Sequence, residues 1–344
     1  MKNYRNRIAD AILKRKLEGK GAVVIEGPKW CGKTTTAEQI AKSVLYMDDP
    51  SNKAQNITIS ETNPKQLLRG KTPRLIDEWQ IAPKLWDTIR FEVDHRGELG
   101  QFVLTGSAVP ADTHEITHSG TGRFTWLMMR PMSLYESGES NGTVSLKELF
   151  EGKEIIESYA DLTFERLAFV VCRGGWPQAI DMRDEIALDQ AIDYYAAVVH
   201  SDINRADNIK KNPESVKRLM RSYARNQGSQ VPNTVLVHGD LVNDLRTFGF
   251  LFETLCIRDL RIYTDSLSGE VYHYRDKDDQ ECDAVIHLRN EKSIDHSLEY
   301  CASIYACFIG LRKVISLLFS ALQDRHSFSL HLPISSYKLW IAFL

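Results

Sequence analysis

The sequence predicts an α/β fold: a parallel sheet flanked by helices, followed by a mostly helical region and a shorter α/β part. Three observations predict it. Short apolar runs alternate with helical patterns through the first third of the chain. A glycine-rich loop follows the first of those runs. Much later, two strand-like runs flank a polar turn. The chain has 344 residues. Single cores stop growing at roughly 250–300 residues, so two or three domains are expected.

Taken in order, residues 4–18 read as a charged helix, and Ala22–Glu26 (AVVIE) as a buried strand entering the loop. Thr35–Ser43 reads as a helix and Val44–Met47 as a second strand. Arg74–Asp77, behind Pro73, is a third strand, Lys84–Arg96 a helix, and Phe102–Thr105 a fourth strand ending in Gly106-Ser107. A last strand over Phe124–Met129 closes this part before Pro131. Residues 145–228 look mostly helical. Thr163–Val171 leads to a break at Arg173-Gly174-Gly175-Trp176-Pro177, and Asp184–Arg205 is a long helix. Pro213–Gly228 has proline near its start and glycine at its end, as helices prefer. Asp240–Tyr263 is helical, and Glu270–Arg275 and Cys282–Leu288 form a hairpin across the turn Asp276–Gln280.

Composition narrows the class. Apolar residues make up 43% and charged residues 26%, which excludes wholesale disorder. A net charge of −3 gives no global attraction to nucleic acid or anionic lipid and leaves room only for a local basic face, such as Lys210–Arg225 with Lys211, Lys217, Arg218 and Arg221. The six cysteines (Cys31, Cys172, Cys256, Cys282, Cys301 and Cys307) form no CxxC pair and no zinc-site spacing. The basic start lacks an apolar signal core, so a reducing, cytoplasmic setting is expected. Tyr305–Leu322 is interrupted by Arg312 and Lys313, so no membrane partner is expected either.

The chemistry concentrates in Gly27-Pro28-Lys29-Trp30-Cys31-Gly32-Lys33-Thr34, which fits GxxxxGK[ST] between an apolar strand and a helix. Glycines let the backbone curl so that amide N–H groups converge on phosphate oxygens. The helix that follows, beginning near Thr35, presents its N-terminus to the same anion. Lys33 is expected to bridge the β- and γ-phosphates, and the Thr34 hydroxyl to hold Mg²⁺. Leu75-Ile76-Asp77-Glu78 supplies the second half. Asp77 would act through the metal, and Glu78 would orient or deprotonate the attacking water. Ser107 or Thr105, at the end of the next strand, would sense the γ-phosphate. Arg123, in HSGTGR, is a candidate arginine finger. The plainer alternatives are a glycine-rich turn with a surface lysine, two solvated acids at a strand end, and a loop arginine in solvent. Trp30 and Cys31 either tune the pocket or act as spacers.

GPKWCGKTTTAEQIA, RLIDEWQIAPKLWDTIR, GQFVLTGSA, HSGTGRF and RPMSLYESGE resemble the prokaryotic AAA-type ATPases (AAA_14) that carry a C-terminal DUF4143 domain. The resemblance covers residues 1 to about 230 and about 241–290. It implies a P-loop ATPase of the ASCE type binding ATP, with Asp77 and Glu78 as its acidic pair and a sensor at Ser107. It also implies a restriction-endonuclease-like C-terminal part, in which Glu253 and Asp283 match the first two metal-site positions. The third position is missing, since the chain runs Asn290-Glu291-Lys292-Ser293-Ile294-Asp295, so nuclease activity is not expected. Near Val237 several dozen family residues are absent, and the tail from Cys301 (CASIYACFIG) reads as if the frame had changed.

The expected organisation is therefore an ATPase domain over 1–135, a helical region over 136–236, a partial DUF4143-like segment over 237–290 and an atypical tail over 291–344. The leading functional expectation is a Mg²⁺-dependent ATPase acting on an unknown partner, with homo-oligomers a further option. The alternatives are a nucleic-acid-binding or nuclease-related module with regulatory ATP, and a remnant without C-terminal activity.

Overall fold

The run Ala22-Val23-Val24-Ile25 is apolar at successive positions, whereas side chains alternate across a strand, so both faces of that strand must be covered. The computed structural model, which describes residues 4–106, 120–152, 162–202, 212–218, 245–275 and 281–289, makes it β1 (Ala22–Glu26), with those four side chains at most 2% exposed. β1 belongs to a five-stranded parallel sheet with β2 (Ser43–Tyr46), β3 (Arg74–Asp77), β4 (Phe102–Thr105) and β5 (Phe124–Met128), in the order β2-β3-β4-β1-β5. β4 lies between the strand that leads to the glycine-rich loop and the strand that carries the two acids. The fold is the expected α/β P-loop architecture.

Alternation sorts the core into two layers. Ala22, Val24, Ile76, Phe102 and Leu104 face α4 (Leu85–Arg96), which contributes Leu85, Trp86, Ile89 and Val93. Val23, Ile25, Leu75, Val103 and Leu127 face α1 (Ile8–Gly19), through Ile12, Leu13 and Leu17, and α2 (Lys33–Glu38), through Ala37. Burial of each large aliphatic side chain contributes about 1.5–3 kcal/mol. The packing is close where α4 passes the start of β1: a Cβ on Gly21 would lie 2.2 Å from a Val93 methyl.

Three elements differ from expectation. α1 begins at Ile8, because Arg7 is its N-cap and the Arg7 N–H donates to Asp10 at 2.8 Å. α2 ends at Glu38, well short of Ser43. Lys42 N–H already donates to Pro73 O at 2.8 Å, so the chain has joined the sheet by then. α3 (Lys53–Thr62) has no counterpart in the sequence reading, since it buries only Asn56 and Ser60 and carries no apolar stripe.

Contacts divide the chain into two compact units. One holds the described residues up to Pro131 together with Trp176–Gln178, and includes the sheet. Trp176, in the break after Arg173, packs partly buried against the second core layer of this unit. The other unit runs from Met132. It contains α5 (Leu134–Ser137), α6 (Leu146–Phe150), α7 (Phe164–Arg173), α9 (Asp184–Ala197), α10 (Leu245–Ser266) and a hairpin of β6 (Gly269–Arg275) and β7 (Glu281–Leu288), while α8 (Pro177–Ile180) and a π-helical turn over Val198–Asp202 run across the boundary. The sequence reading separated 136–236 from 237–290. The structure joins them: Phe164 of α7 meets Phe248 of α10 edge-on at 4.6 Å, and Leu134 N–H donates to the buried Asp259 of α10 at 2.9 Å. Leu146, Leu260, Ala284 and Ile286 form the core under the hairpin. The hairpin is antiparallel, with a register shift between Tyr272 and Tyr274. Of the helix expected over Pro213–Gly228, residues 213–218 are helical and the rest lies outside the described residues, as do the turn Asp276–Gln280, the break near Val237, the Asn290–Asp295 stretch and the tail.

Candidate active site

The carboxyl ends of β2, β3, β4 and β1 are in register: Tyr46 pairs with Asp77, Asp77 with Thr105, and Thr105 with Ile25. Loops leaving such an edge are where ligands of parallel α/β sheets sit. The glycine-rich loop leaves β1 there. Gly27 has φ +147, and a Cβ on it would lie 2.0 Å from Met129 O, so a side chain is excluded by the backbone of the neighbouring strand exit. Gly32 turns the chain into α2 with φ +99, left-handed backbone that favours glycine. Trp30 also has positive φ, +64, and stands 56% exposed on the outside of the loop. Cys31 is fully buried in the second core layer, its Sγ 3.6 Å from Met129 O, and burial pushes its thiol up. Cys31 is thus a packing residue of the loop.

Lys33, 7% exposed, lies back across the loop: Nζ donates to Gly27 O and to Pro28 O, both at 2.9 Å. The Thr34 hydroxyl donates to an Asp77 carboxylate oxygen at 2.8 Å, and the Thr105 hydroxyl, fully buried, donates to the same oxygen. Burial is the main reason the Asp77 carboxyl lies above the ordinary range. Asp48 and Glu38 add to this by charge, while the two hydroxyl donors oppose it. Glu78 follows in left-handed backbone, φ +53, uncommon for a residue with a side chain. Its carboxyl is also held above the usual range, first by burial and then by Asp77 and Asp48. The amide of Gln80 and the charge of Lys33 pull the other way. Gln80, in the 3₁₀ turn Trp79–Ile81, donates its amide to the Glu78 carboxylate.

The loop is held from behind. The guanidinium of Arg7, 7% exposed, donates to Cys31 O and to Arg130 O, each at 2.8 Å. The Tyr4 hydroxyl donates to Asp10 at 2.6 Å and lies 2.9 Å from the Thr36 hydroxyl in α2. Sequence patterns gave no sign of Arg7 or Tyr4, because their partners are backbone carbonyls or side chains with no fixed spacing, nor of Gln80, whose bond to Glu78 depends on the left-handed turn at Glu78.

The structure thus brings Lys33, Thr34, Asp77, Glu78 and Thr105 to one sheet edge. Thr35 is exposed in the first turn of α2, and Ser107 lies outside the described residues. Arg123 is not with them. It precedes β5, its carbonyl accepts from Ala22 N–H at 3.1 Å, and its guanidinium grips Asp94 at 2.8 and 3.0 Å, at the amino edge of the sheet. β1 separates that edge from the loop by about 15 Å, at ~3.3 Å per residue. Glu253 and Asp283 lie on α10 and β7 of the other unit. Among the described residues no group of three or more His, Cys, Asp or Glu side chains could hold a metal ion, and no helix is long and apolar enough to cross a membrane.

Residues 19–138 match the family model of an AAA domain, AAA_14. Residues 164–263 match a domain of unknown function, DUF8612, where the resemblance had implied DUF4143. The chain is 28% identical over 144 residues to two uncharacterized proteins, Mb2031c of Mycobacterium bovis and Rv2008c of Mycobacterium tuberculosis, covering 39% of this chain and 30% of each relative. It therefore spans under a third of the length of those curated relatives. Among solved structures, the AMPPCP-bound DnaA of Aquifex aeolicus has a TM-score of 0.34 at 12% identity, covering 74% of this chain and 78% of its own. The C. elegans protein PCH-2 has a TM-score of 0.25 at 13% identity, with 72% of this chain and 66% of that one covered. The signal transduction ATPase PH0952 of Pyrococcus horikoshii has 0.26 at 14%, with 78% and 54% covered. What residues 19–138 share with known proteins is the AAA-type domain.

Proposed function

We propose that this chain binds ATP at Gly27–Thr35 and hydrolyses it with Mg²⁺, Glu78 acting as the base. The observation that carries the reading is the meeting of Thr34 and Asp77: a hydroxyl and a carboxylate from separate elements, 2.8 Å apart, at the mouth of a glycine-hinged loop. Two hard oxygen donors on one side fit Mg²⁺, which takes one or two protein oxygens and completes its shell with phosphate and water. When bound, the ion would neutralise charge on the phosphates.

The chain's own residues do the rest. The backbone N–H groups of residues 29–34 and the N-terminus of α2 would receive the phosphate oxygens. Lys33 would exchange its two loop carbonyls for the β- and γ-phosphates. Glu78, whose carboxyl is lifted toward neutrality by burial, is suited to take a proton from water aligned with the γ-phosphate. The AAA match and the resemblance favour adenine as the base. A γ-phosphate contact from Ser107 is part of the same reading. Arg123 would serve a nucleotide only on a neighbouring copy, because its own sheet separates it from its own loop.

The test is ATP affinity and phosphate release with and without Mg²⁺ on the full chain. Lys33→Ala is expected to lose affinity. Glu78→Gln should keep ATP but lose roughly 10²–10⁴-fold in turnover, the usual contribution of a general base. A wild-type chain that ignores ATP, or turnover equal in Glu78→Gln, would sink the reading.

A further inference from the structure

Gln80 belongs to neither the phosphate loop nor the acidic pair, yet it touches both Glu78 and the end of β4. Its Nε2 donates to the Glu78 carboxylate, and its Oε1 is buried with no hydrogen-bond partner among the described residues. The amide has one sensible orientation. Turned over, it would set its carbonyl oxygen against a carboxylate, two acceptors face to face. The oxygen end therefore lies against Gly106, where a Cβ would be 2.1 Å from Oε1 and 2.9 Å from Cδ. Gly106 does not have left-handed backbone, so a side chain there would act by displacing the Gln80 amide rather than by straining its own conformation.

We propose that Gln80 is a positioning residue for Glu78, holding its carboxylate by the amide N–H and fixed in turn by contact with Gly106 at the exit of β4. The inference rests on the ATPase reading. Glu78 sits in left-handed backbone just past the end of β3, so its direction is not set by the strand and needs a second restraint. Gln80 supplies it from two residues away. Gly106 immediately follows Thr105, whose hydroxyl bonds Asp77, so one strand exit supports both acids: Asp77 directly and Glu78 through Gln80. A change in the backbone at Gly106 would be passed to Glu78 through a single planar amide.

The experiment measures ATP affinity, kcat and KM of hydrolysis on the full chain. Gln80→Leu, which removes the donor but keeps an apolar side chain of similar size, is expected to lower kcat about tenfold, the scale of a misaimed catalytic group. ATP affinity and KM should not change. Gly106→Ala should lower kcat in the wild-type background and have little effect in Gln80→Ala, where the side chain it strikes is absent. A kcat unchanged in Gln80→Leu, or a loss shared equally by KM and ATP affinity, would overturn the inference. So would a Gly106→Ala effect equal in both backgrounds. If Glu78→Gln abolishes turnover while the Gln80 variants do nothing, this inference alone fails. If wild-type turnover is independent of Glu78, the ATPase reading falls and takes this one with it.

Discussion

At the scale of the residue, Asp77 shows what the site costs the fold. Its carboxyl is lifted above the ordinary range mainly by burial, with Asp48 and Glu38 adding repulsion. A carboxyl raised in the folded state contributes stability that is fully present below its unfolded pKa, roughly 3.9, and lost as pH rises through the folded value. At neutral pH the ionised Asp77 is therefore a net liability until a cation joins it. Asp77→Asn keeps an oxygen for the Thr34 and Thr105 hydroxyls and removes the charge. The variant is expected to melt a few degrees above the wild type without ligand at pH 7, with the gap closing as pH is lowered toward 4. It should also lose the tightening of ATP that Mg²⁺ gives. Thermal melts across pH, with and without Mg·ATP, check both halves; a variant that melts lower at pH 7 contradicts the first. Metal affinity in the wild type should weaken on acidification, because the same oxygens must shed their protons to bind.

At the scale of the element, the phosphate loop depends on a segment that no phosphate-binding pattern includes. Arg7 caps α1 with its backbone and, with its guanidinium, fixes the carbonyls of Cys31 and Arg130. Arg7→Met keeps the apolar stem and leaves two acceptors unserved, at about 1–3 kcal/mol for each that stays buried. The expected result is a drop in stability of about 2 kcal/mol and weaker ATP binding, with Arg7→Lys recovering part of the affinity. Denaturant titration and calorimetry measure these; affinity equal to wild type in Arg7→Met would show that the loop holds its shape unaided. The contrast between Lys33 and Arg7 explains what the sequence could reveal. β1, β3 and β4 were legible because strands covered on both faces read as unbroken apolar runs, and Lys33, Thr34, Asp77 and Glu78 because phosphate chemistry fixes their spacing. α3 was illegible because its buried residues are Asn56 and Ser60. Arg7 and Tyr4 were illegible because their partners are far away in sequence or are backbone atoms, which leave no periodicity, and Gln80 because its reach to Glu78 depends on the left-handed backbone between β3 and the 3₁₀ turn. Thr105 was named as a sensor, and its position at the strand end was right, but only the folded sheet shows its hydroxyl on Asp77.

At the scale of the whole molecule, the site and the second unit draw on different side chains. The second unit contains a fully buried cation: Arg173, 2% exposed, donates to Glu139 at 2.6 Å. Glu139→Gln leaves that charge without its counter-ion and is expected to cost about 3–5 kcal/mol. ATP affinity at 10 °C should stay at the wild-type value, since Lys33, Thr34, Asp77, Thr105, Arg7 and Tyr4 all belong to the first unit. Arg123 poses the complementary question of whether one chain suffices. In a single copy it lies at the amino edge of the sheet, clasped by Asp94, whose carboxyl it holds below the usual range. The loop and Glu78 lie at the carboxyl edge, so no side-chain rotation can bring the guanidinium to a nucleotide bound there. Any catalytic contribution from Arg123 must then pass between copies, and that has a kinetic signature. Turnover per chain would rise with protein concentration, and Arg123→Ala would abolish the rise while leaving the dilute-limit rate unchanged. An Arg123→Ala chain as slow at high dilution as at high concentration, against a wild type that is faster at both, would mean that the arginine acts within its own chain and that the sheet edge assigned to the nucleotide is the wrong one.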